Sequence, residues 1–171
     1  MQLFKPSATV TEEDRIWIEE AFLWFEEQYG RDFLKAVEII EPTKKYFNHS
    51  FSGKQEDAEF VLDRLCEIMQ IKNAKIELHY FSDAPLDFSD EGIEITQSPT
   101  GDGYQKNYKL GQYSERKDIF EIGIELKLLK SPNSLIATIA HELSHLILLG
   151  EGRLEENDEE LTDLNCIALG L

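Results

Sequence analysis

Two histidines and a glutamate stand close together near the end of the chain, in the run His141-Glu142-Leu143-Ser144-His145. In an α-helix, side chains four positions apart lie on one face, about one turn from each other. Both imidazoles can therefore aim a nitrogen at one point roughly 2.0 to 2.1 Å away, the distance at which zinc binds histidine. Glu142 lies around the helix from that line, so its carboxylate is placed to accept a proton from metal-bound water.

The residues around this motif predict a continuous helix with an uncharged face. Ser131 is a suitable N-cap, Pro132 suits the first helical position, and Gly150 ends the helix as a C-terminal cap residue. Between them, apolar residues recur at spacings of three and four: Leu135, Ile136, Ile139, Ala140, Leu143, Leu146 and Ile147. The alternative is a core helix whose two histidines only form hydrogen bonds. A helix buried around a metal site is the interpretation that the pattern favours.

A second helix soon after the motif offers a third ligand. Catalytic zinc keeps three protein ligands and one open position, so a third donor must come from elsewhere in the chain. After the connector Gly150 to Glu156, Asn157 can cap a helix, and Glu160 three residues later completes a capping-box pattern. Glu159 lies in the first turn of this helix. We therefore expect Glu159 to be the third ligand.

The connector is long enough to bring this glutamate to the histidines. The first helix continues for about 6 Å after His145 at 1.5 Å per residue, and the connector can extend about 20 Å. An antiparallel pair of helices can therefore place Glu159 level with His145. Asp163 follows on the same helix face, where it can hydrogen-bond a ligating histidine. Glu160 or Asp163 as the third ligand, or a solvated and well-capped helix start, remain alternatives.

The two motifs together resemble a known group of enzymes. His141-Glu-Leu-Ser-His145 followed by Glu159-Glu-Leu-Thr-Asp163 is similar to the pattern of the gluzincin zinc metallopeptidases, His-Glu-x-x-His with a downstream Glu-x-x-x-Asp. The resemblance covers about the last third of the chain. It implies Zn²⁺ bound by His141, His145 and Glu159, with Glu142 as general base and Asp163 as the group that orients a ligand.

A strand is predicted directly before the metal helix. Between Ile119 and Leu126, apolar side chains alternate with Glu121, Gly123 and Glu125. In gluzincins a strand in this place lines the cleft, so the resemblance implies that this one pairs with an extended peptide substrate. Gly123 would let another backbone come close, which makes it a candidate substrate-binding residue. A bulge in an interior strand explains the glycine equally well.

Composition limits the class of protein. The chain has 171 residues, of which 42% are hydrophobic and 11% aromatic, which is typical of one globular domain. Its 34 acidic and 17 basic residues give a net charge of −17, which opposes binding to nucleic acid or to an anionic membrane. Cys66 and Cys166 lie in apolar helical patterns and predict buried free thiols. Without a signal-peptide pattern or a long apolar run, a cytoplasmic protein is expected.

The remaining elements are predicted from local signals. Thr11 can cap a helix that runs to Tyr29, ends at Gly30 and buries most of its apolar side chains. Ser52 and Gln55 form a capping-box pattern before a second helix that reaches about Gln70. Extended segments are predicted at Val37–Ile40, Ile76–Tyr80, Gly92–Thr96 and Tyr104–Leu110.

These elements predict one α+β, zincin-like domain over residues 1–171. It combines N-terminal helices, a small and mostly antiparallel sheet of about four strands, the metal helix and the glutamate helix. The expected function is zinc-dependent hydrolysis of a peptide or protein substrate, and a non-catalytic zinc-binding regulatory or interaction domain is the main rival. A metal-free binding protein is a third possibility. His49 and His79 are interpreted as surface or strand histidines, although His79, Tyr104, Tyr108 or Tyr113 could stabilise an oxyanion.

Overall fold

Residues 9–81 and 119–171 are the part of the chain that the computed structural model describes. Their backbone separates into two units, the first formed by the chain up to Ile39 together with Asp158–Leu171, and the second by Ile40–Asn157. The predicted organisation as a single domain stays a prediction. Within the described residues, no helix combines the length and the apolar character that crossing a membrane requires.

The first unit begins with helix α1, Glu12–Tyr29, whose two ends lie where the sequence predicts them. Thr11 is the N-cap, and its hydroxyl accepts from the backbone N–H of Asp14 at 3.1 Å, while the Asp14 carboxylate accepts from the Thr11 backbone N–H at 3.2 Å. This reciprocal pair satisfies two of the N–H groups that a helix start leaves without a partner. Gly30 ends the helix at a φ of 87°, which glycine adopts without steric cost.

A short helix that the sequence analysis did not predict follows α1 directly. Helix α2 comprises Arg31–Ala36, and the next residues, 37–40, form no strand although an extended segment was predicted there. The helix is only six residues long and buries none of them. An apolar pattern too short to show a period does not distinguish such a turn of helix from a strand.

Helix α5, Glu159–Ala168, packs against α1 in the same unit. Its N-cap is Asp158, which accepts from the Leu161 backbone N–H at 2.9 Å, so the predicted cap at Asn157 is wrong by one residue. The core between the helices contains Ala21, Phe25, Leu164 and Ala168. Burial is less extensive than predicted, since Ile16 and Leu23 on α1 and Ile167 on α5 are exposed.

In the second unit, helix α3 comprises Gln55–Ile68 and buries Ala58, Val61 and Leu65. Its start differs from the prediction, because Ser52 does not cap it. Instead, the buried carboxylate of Asp57 accepts hydrogen bonds from the backbone N–H groups of the residues that lead into the helix. The helix therefore begins three residues after Ser52.

The described strands are β1, Lys75–Phe81, and β2, Ile119–Glu125, both close to their predicted positions. They pair in parallel, with Leu78 opposite Ile122, whereas the sequence predicts a mostly antiparallel sheet. Helices with a small sheet confirm the α+β class at a coarse level. The predicted strands Gly92–Thr96 and Tyr104–Leu110 lie outside the described residues. Ile122 and Ile124 of β2 are fully buried, so this strand forms part of the core.

A single turn of 3₁₀ helix, Leu128–Lys130, connects β2 to helix α4, Pro132–His145, which packs on α3. Pro132 occupies the first turn of α4 as predicted. Ser131 precedes the helix, but its side chain makes no capping hydrogen bond to the helix backbone, and its hydroxyl instead pairs with that of Ser134 at 2.8 Å. The helical path continues through a π turn, Leu146–Gly150, so it ends at the predicted glycine with a wider last turn.

Candidate metal centre

The last turn of α4 brings the two motif histidines together. The Nε2 atoms of His141 and His145 lie 3.0 Å apart, with ring centroids separated by 4.7 Å and ring planes at 84°. The four-residue spacing places both rings on one face of the helix, as the sequence predicts. Because the same nitrogen of each ring points into the shared space, the pair presents two imidazole donors to one position.

This spacing agrees with joint binding of one ion. Two nitrogens that each lie about 2.05 Å from a tetrahedral zinc ion are separated by about 3.3 Å. The observed separation of 3.0 Å is slightly shorter than this value. A small rotation of either ring would remove the difference. The same distance also allows an N–H···N hydrogen bond between neutral rings, in which one Nε2 carries the proton. The geometry therefore fits both a metal-binding pair and a hydrogen-bonded pair.

The face around the histidines is buried and mostly apolar. His145 is 2% exposed and Glu142 is 7% exposed, while Leu143 and Ser144 between them are fully buried. Glutamate is rarely buried in a protein unless it is paired or lies near a metal ion, because removing its charge from water is costly. Glu142 is thus a buried carboxylate on the same helix as the two histidines.

The acidic residues predicted to complete the site lie on α5, in the first unit. Glu159 is the first residue of that helix and is exposed. Asp163 lies one turn further on and is also exposed. The predicted donor set combines the two imidazoles of His141 and His145 with the carboxylate of Glu159. This donor set does not by itself select one metal, although nitrogen and carboxylate ligands suit zinc well.

The other histidines of the chain have acidic neighbours. His49 lies 2.7 Å from the carboxylate of Asp57 and stacks on Phe60. His79 on β1 lies 3.7 Å from Glu121 on β2. His79 lies in a strand, as predicted, but its approach to Glu121 was not predicted. The alternating polar residues of both strands are apparent in the sequence. The sequence does not show the parallel register that brings these residues together.

Gly123 lies within β2, where its Cα is paired with that of His79 on β1. The three tyrosines considered for oxyanion stabilisation, at positions 104, 108 and 113, lie outside the described residues. Cys66 and Cys166 are half-buried, whereas buried thiols were predicted.

No protein-family model matches the chain, and no curated protein or solved structure is similar enough to match it. The residues themselves therefore carry every functional conclusion drawn for this protein.

Proposed function

We propose that this protein is a zinc-dependent metallopeptidase that hydrolyses peptide bonds. The observation that carries the proposal is the pair of Nε2 atoms, from His141 and His145, that converge at 3.0 Å beside the buried Glu142. A histidine pair that existed only for packing would not need a buried carboxylate at the intervening position. A hydrolase needs both, because it must hold a cation and also remove a proton from the attacking water.

Glu159 is proposed as the third ligand, as the resemblance to gluzincins implies. Its place at the start of α5 supports this role, since the eight residues between Gly150 and Glu159 are enough to return the chain to the histidines. Asp163, one helical turn later, is proposed to orient a ligating histidine by accepting from its Nδ1–H. That hydrogen bond would fix the tautomer in which Nε2 is left as the donor atom.

The chemistry divides between the metal and the protein. When bound, zinc would polarise the scissile carbonyl and lower the pKa of a coordinated water to about 7. Glu142 accepts a proton from the attacking water on a carboxylate oxygen as the new C–O bond forms. It then delivers that proton to the leaving nitrogen as the C–N bond breaks, so its charge is restored at the end of each cycle.

The strand before α4 is proposed to hold the substrate. An extended peptide can add to a sheet edge through main-chain hydrogen bonds. Because β2 pairs with β1 along one of its edges, an added peptide would use the other edge. Gly123 would allow the close approach of that second backbone. A peptide held along β2 would therefore lie in the region that leads directly into α4.

The decisive variant is Glu142→Gln, which keeps the size and the hydrogen-bonding reach of the side chain but removes its basicity. We expect it to bind zinc as the wild type does and to lose at least about 100-fold in peptide hydrolysis, the usual contribution of a general base. Glu160→Gln is the matched control, since it removes an exposed carboxylate next to the proposed ligand. The measurements are zinc content by mass spectrometry and digestion of a broad peptide library. Undiminished hydrolysis by Glu142→Gln would contradict the proposed mechanism.

A non-catalytic zinc-binding domain is the alternative, and the near-complete burial of His145 favours it. A structural zinc site is closed by protein ligands and stabilises the fold directly. In that case the wild type would bind zinc in stoichiometric amount and melt at a lower temperature after chelation, but it would cleave no peptide in the library.

A further inference from the structure

A second group of metal-binding side chains lies on one face of the β1–β2 pair. Glu77 and His79 are two positions apart on β1, so they point to the same side of the sheet. Glu121 on β2 is the register partner of Glu77, which places its side chain on that side as well. One potential ligand atom from each of these three residues lies within 4.8 Å of those of the other two.

Gly123 contributes to this arrangement by leaving space. It is the register partner of His79, and it has no side chain to stand beside the imidazole. The ring can therefore lean across the neighbouring strand toward Glu121. Its Nε2 lies 3.7 Å from Oε1 of Glu121, which is too far for a hydrogen bond but short enough for both atoms to contact one ion.

The charges of the cluster favour a cation. Glu77 and Glu121 are carboxylates at paired positions, and like charges on adjacent strands repel. Glu77 is exposed, but the side chain of Glu121 is only 26% exposed, so water screens this repulsion incompletely. Oε2 of Glu121 is buried and accepts no hydrogen bond from the residues that the structure describes. A buried carboxylate oxygen in that situation is costly, and a bound cation would remove the cost.

We propose that Glu77, His79 and Glu121 form a second binding site for a divalent transition-metal ion, separate from the histidines of α4. One imidazole with two carboxylates is a donor set suited to Zn²⁺ or Mn²⁺ and is less suited to Ca²⁺ or Mg²⁺, which prefer oxygen ligands alone. Three protein donors leave positions for water. The site does not depend on the proposed peptidase activity, because none of its residues takes part in that mechanism.

The first test is the amount of zinc that the full chain binds. After removal of metal with a chelator, equilibrium dialysis against Zn²⁺ followed by elemental analysis gives the number of bound ions. We expect His79→Gln and Glu121→Gln each to bind one ion fewer than the wild type. Glu125→Gln is the control, because it removes a carboxylate from the same face of β2, where Glu125 pairs with Lys127. Equal zinc content in the wild type, His79→Gln and Glu121→Gln would overturn the proposal.

A second measurement separates this site from α4 and does not require a variant of the strands. In His145→Gln, which removes a proposed ligand of the first site, the ring nitrogens of His79 should still shift in nuclear magnetic resonance spectra on addition of Zn²⁺. The wild type should show the same shift of His79. If these resonances do not move at saturating Zn²⁺ in either protein, the cluster binds no zinc ion, and the proposed site is wrong.

Discussion

Replacing Asp57 with asparagine should destabilise the second unit by removing the charge that organises the start of α3. Asp57 is 1% exposed, and its Oδ2 accepts from the backbone N–H groups of Ser52, Gly53 and Lys54 at 2.8, 2.6 and 3.1 Å. Its Oδ1 lies 2.7 Å from Nε2 of His49. In an asparagine the carbonyl oxygen can occupy the position of Oδ2, but it carries no charge, and the amide nitrogen that then replaces Oδ1 cannot accept from His49.

The size of the effect follows from the pKa of the carboxyl group. Burial by itself raises the pKa of Asp57, but the hydrogen bonds from His49 and from the three backbone N–H groups outweigh it and lower the pKa from 3.8 to about 2. At 1.36 kcal/mol per unit, this difference corresponds to about 2 kcal/mol of stabilisation by the ionised carboxylate. Hydrogen bonds to a buried charge contribute about 1.5 to 3 kcal/mol each. We therefore expect Asp57→Asn to lower the free energy of unfolding by about 2 to 3 kcal/mol at pH 7.

The effect of Asp57→Asn should also depend on pH in a defined direction. Because the pKa is lower in the folded state, the stabilisation is fully present above about pH 4 and is lost as the pH falls toward 2. The difference between wild type and Asp57→Asn should therefore shrink across this interval. Asp63→Asn, an exposed change on the same helix, should alter stability by less than about 0.5 kcal/mol.

The assay is urea unfolding followed by far-ultraviolet circular dichroism at several pH values, with amide hydrogen exchange of residues 49–68 as a local readout. The local readout matters because Trp17 and Trp24, the two tryptophans of the chain, both lie on α1 in the other unit. Equal stability of the Asp57→Asn and Asp63→Asn variants at pH 7 would refute the proposed stabilisation by the Asp57 carboxylate. A loss of stability that is the same at pH 7 and pH 2.5 would also refute it, since the charge would then not be its cause.

Two further predictions concern a glycine and a cysteine. Gly170 has a φ of 89°, and a Cβ there would lie 2.3 Å from the carbonyl oxygen of Glu38, whereas a Cβ added at Gly30 meets no atom within 4 Å. Gly170→Ala should therefore lower the melting temperature more than Gly30→Ala. Equal losses in the two variants would exclude the steric contact as the cause. Burial and a nearby carboxylate raise the pKa of Cys66 to about 11. Alkylation of Cys66 by iodoacetamide at pH 8 should therefore be about 100-fold slower than in the urea-unfolded chain, and its rate should still increase above pH 10. A rate that levels off near pH 9 would contradict the raised pKa.

The features that the sequence predicted well are those that depend on neighbouring residues along the chain. The start of α1 is determined by Thr11 and Asp14, three positions apart, and its end by the glycine that follows. The convergence of His141 and His145 depends only on the rise and turn of a helix, so it too could be predicted. At α3 the capping pattern gave a wrong prediction. Asp57, five residues after Ser52, accepts hydrogen bonds from the backbone N–H groups that lead into the helix.

The features that could not be predicted depend on residues far apart in sequence. An alternating pattern indicates a strand but does not give its direction, so a mostly antiparallel sheet was expected, whereas β1 and β2 pair in parallel. The same missing register concealed the meeting of His79 and Glu121, which are 42 residues apart by their numbers. His79 was therefore interpreted as an ordinary strand histidine, although the neighbouring strand supplies the Glu121 carboxylate that makes it a candidate ligand.

An acidic neighbour is weak evidence that a histidine binds metal in this chain, because 34 acidic residues surround only four histidines. The environment of the acid distinguishes the cases. The carboxylate of Asp57 beside His49 already accepts three backbone N–H groups, so its charge is compensated without a cation. Glu121 beside His79 has a buried oxygen that accepts no hydrogen bond from the described residues, and the α4 pair directs two nitrogens to one position. Added Zn²⁺ should therefore shift the ring resonances of His79 and of the α4 pair while it leaves those of His49 unchanged, and a shift at His49 would mean that proximity to an acid alone is sufficient to bind zinc.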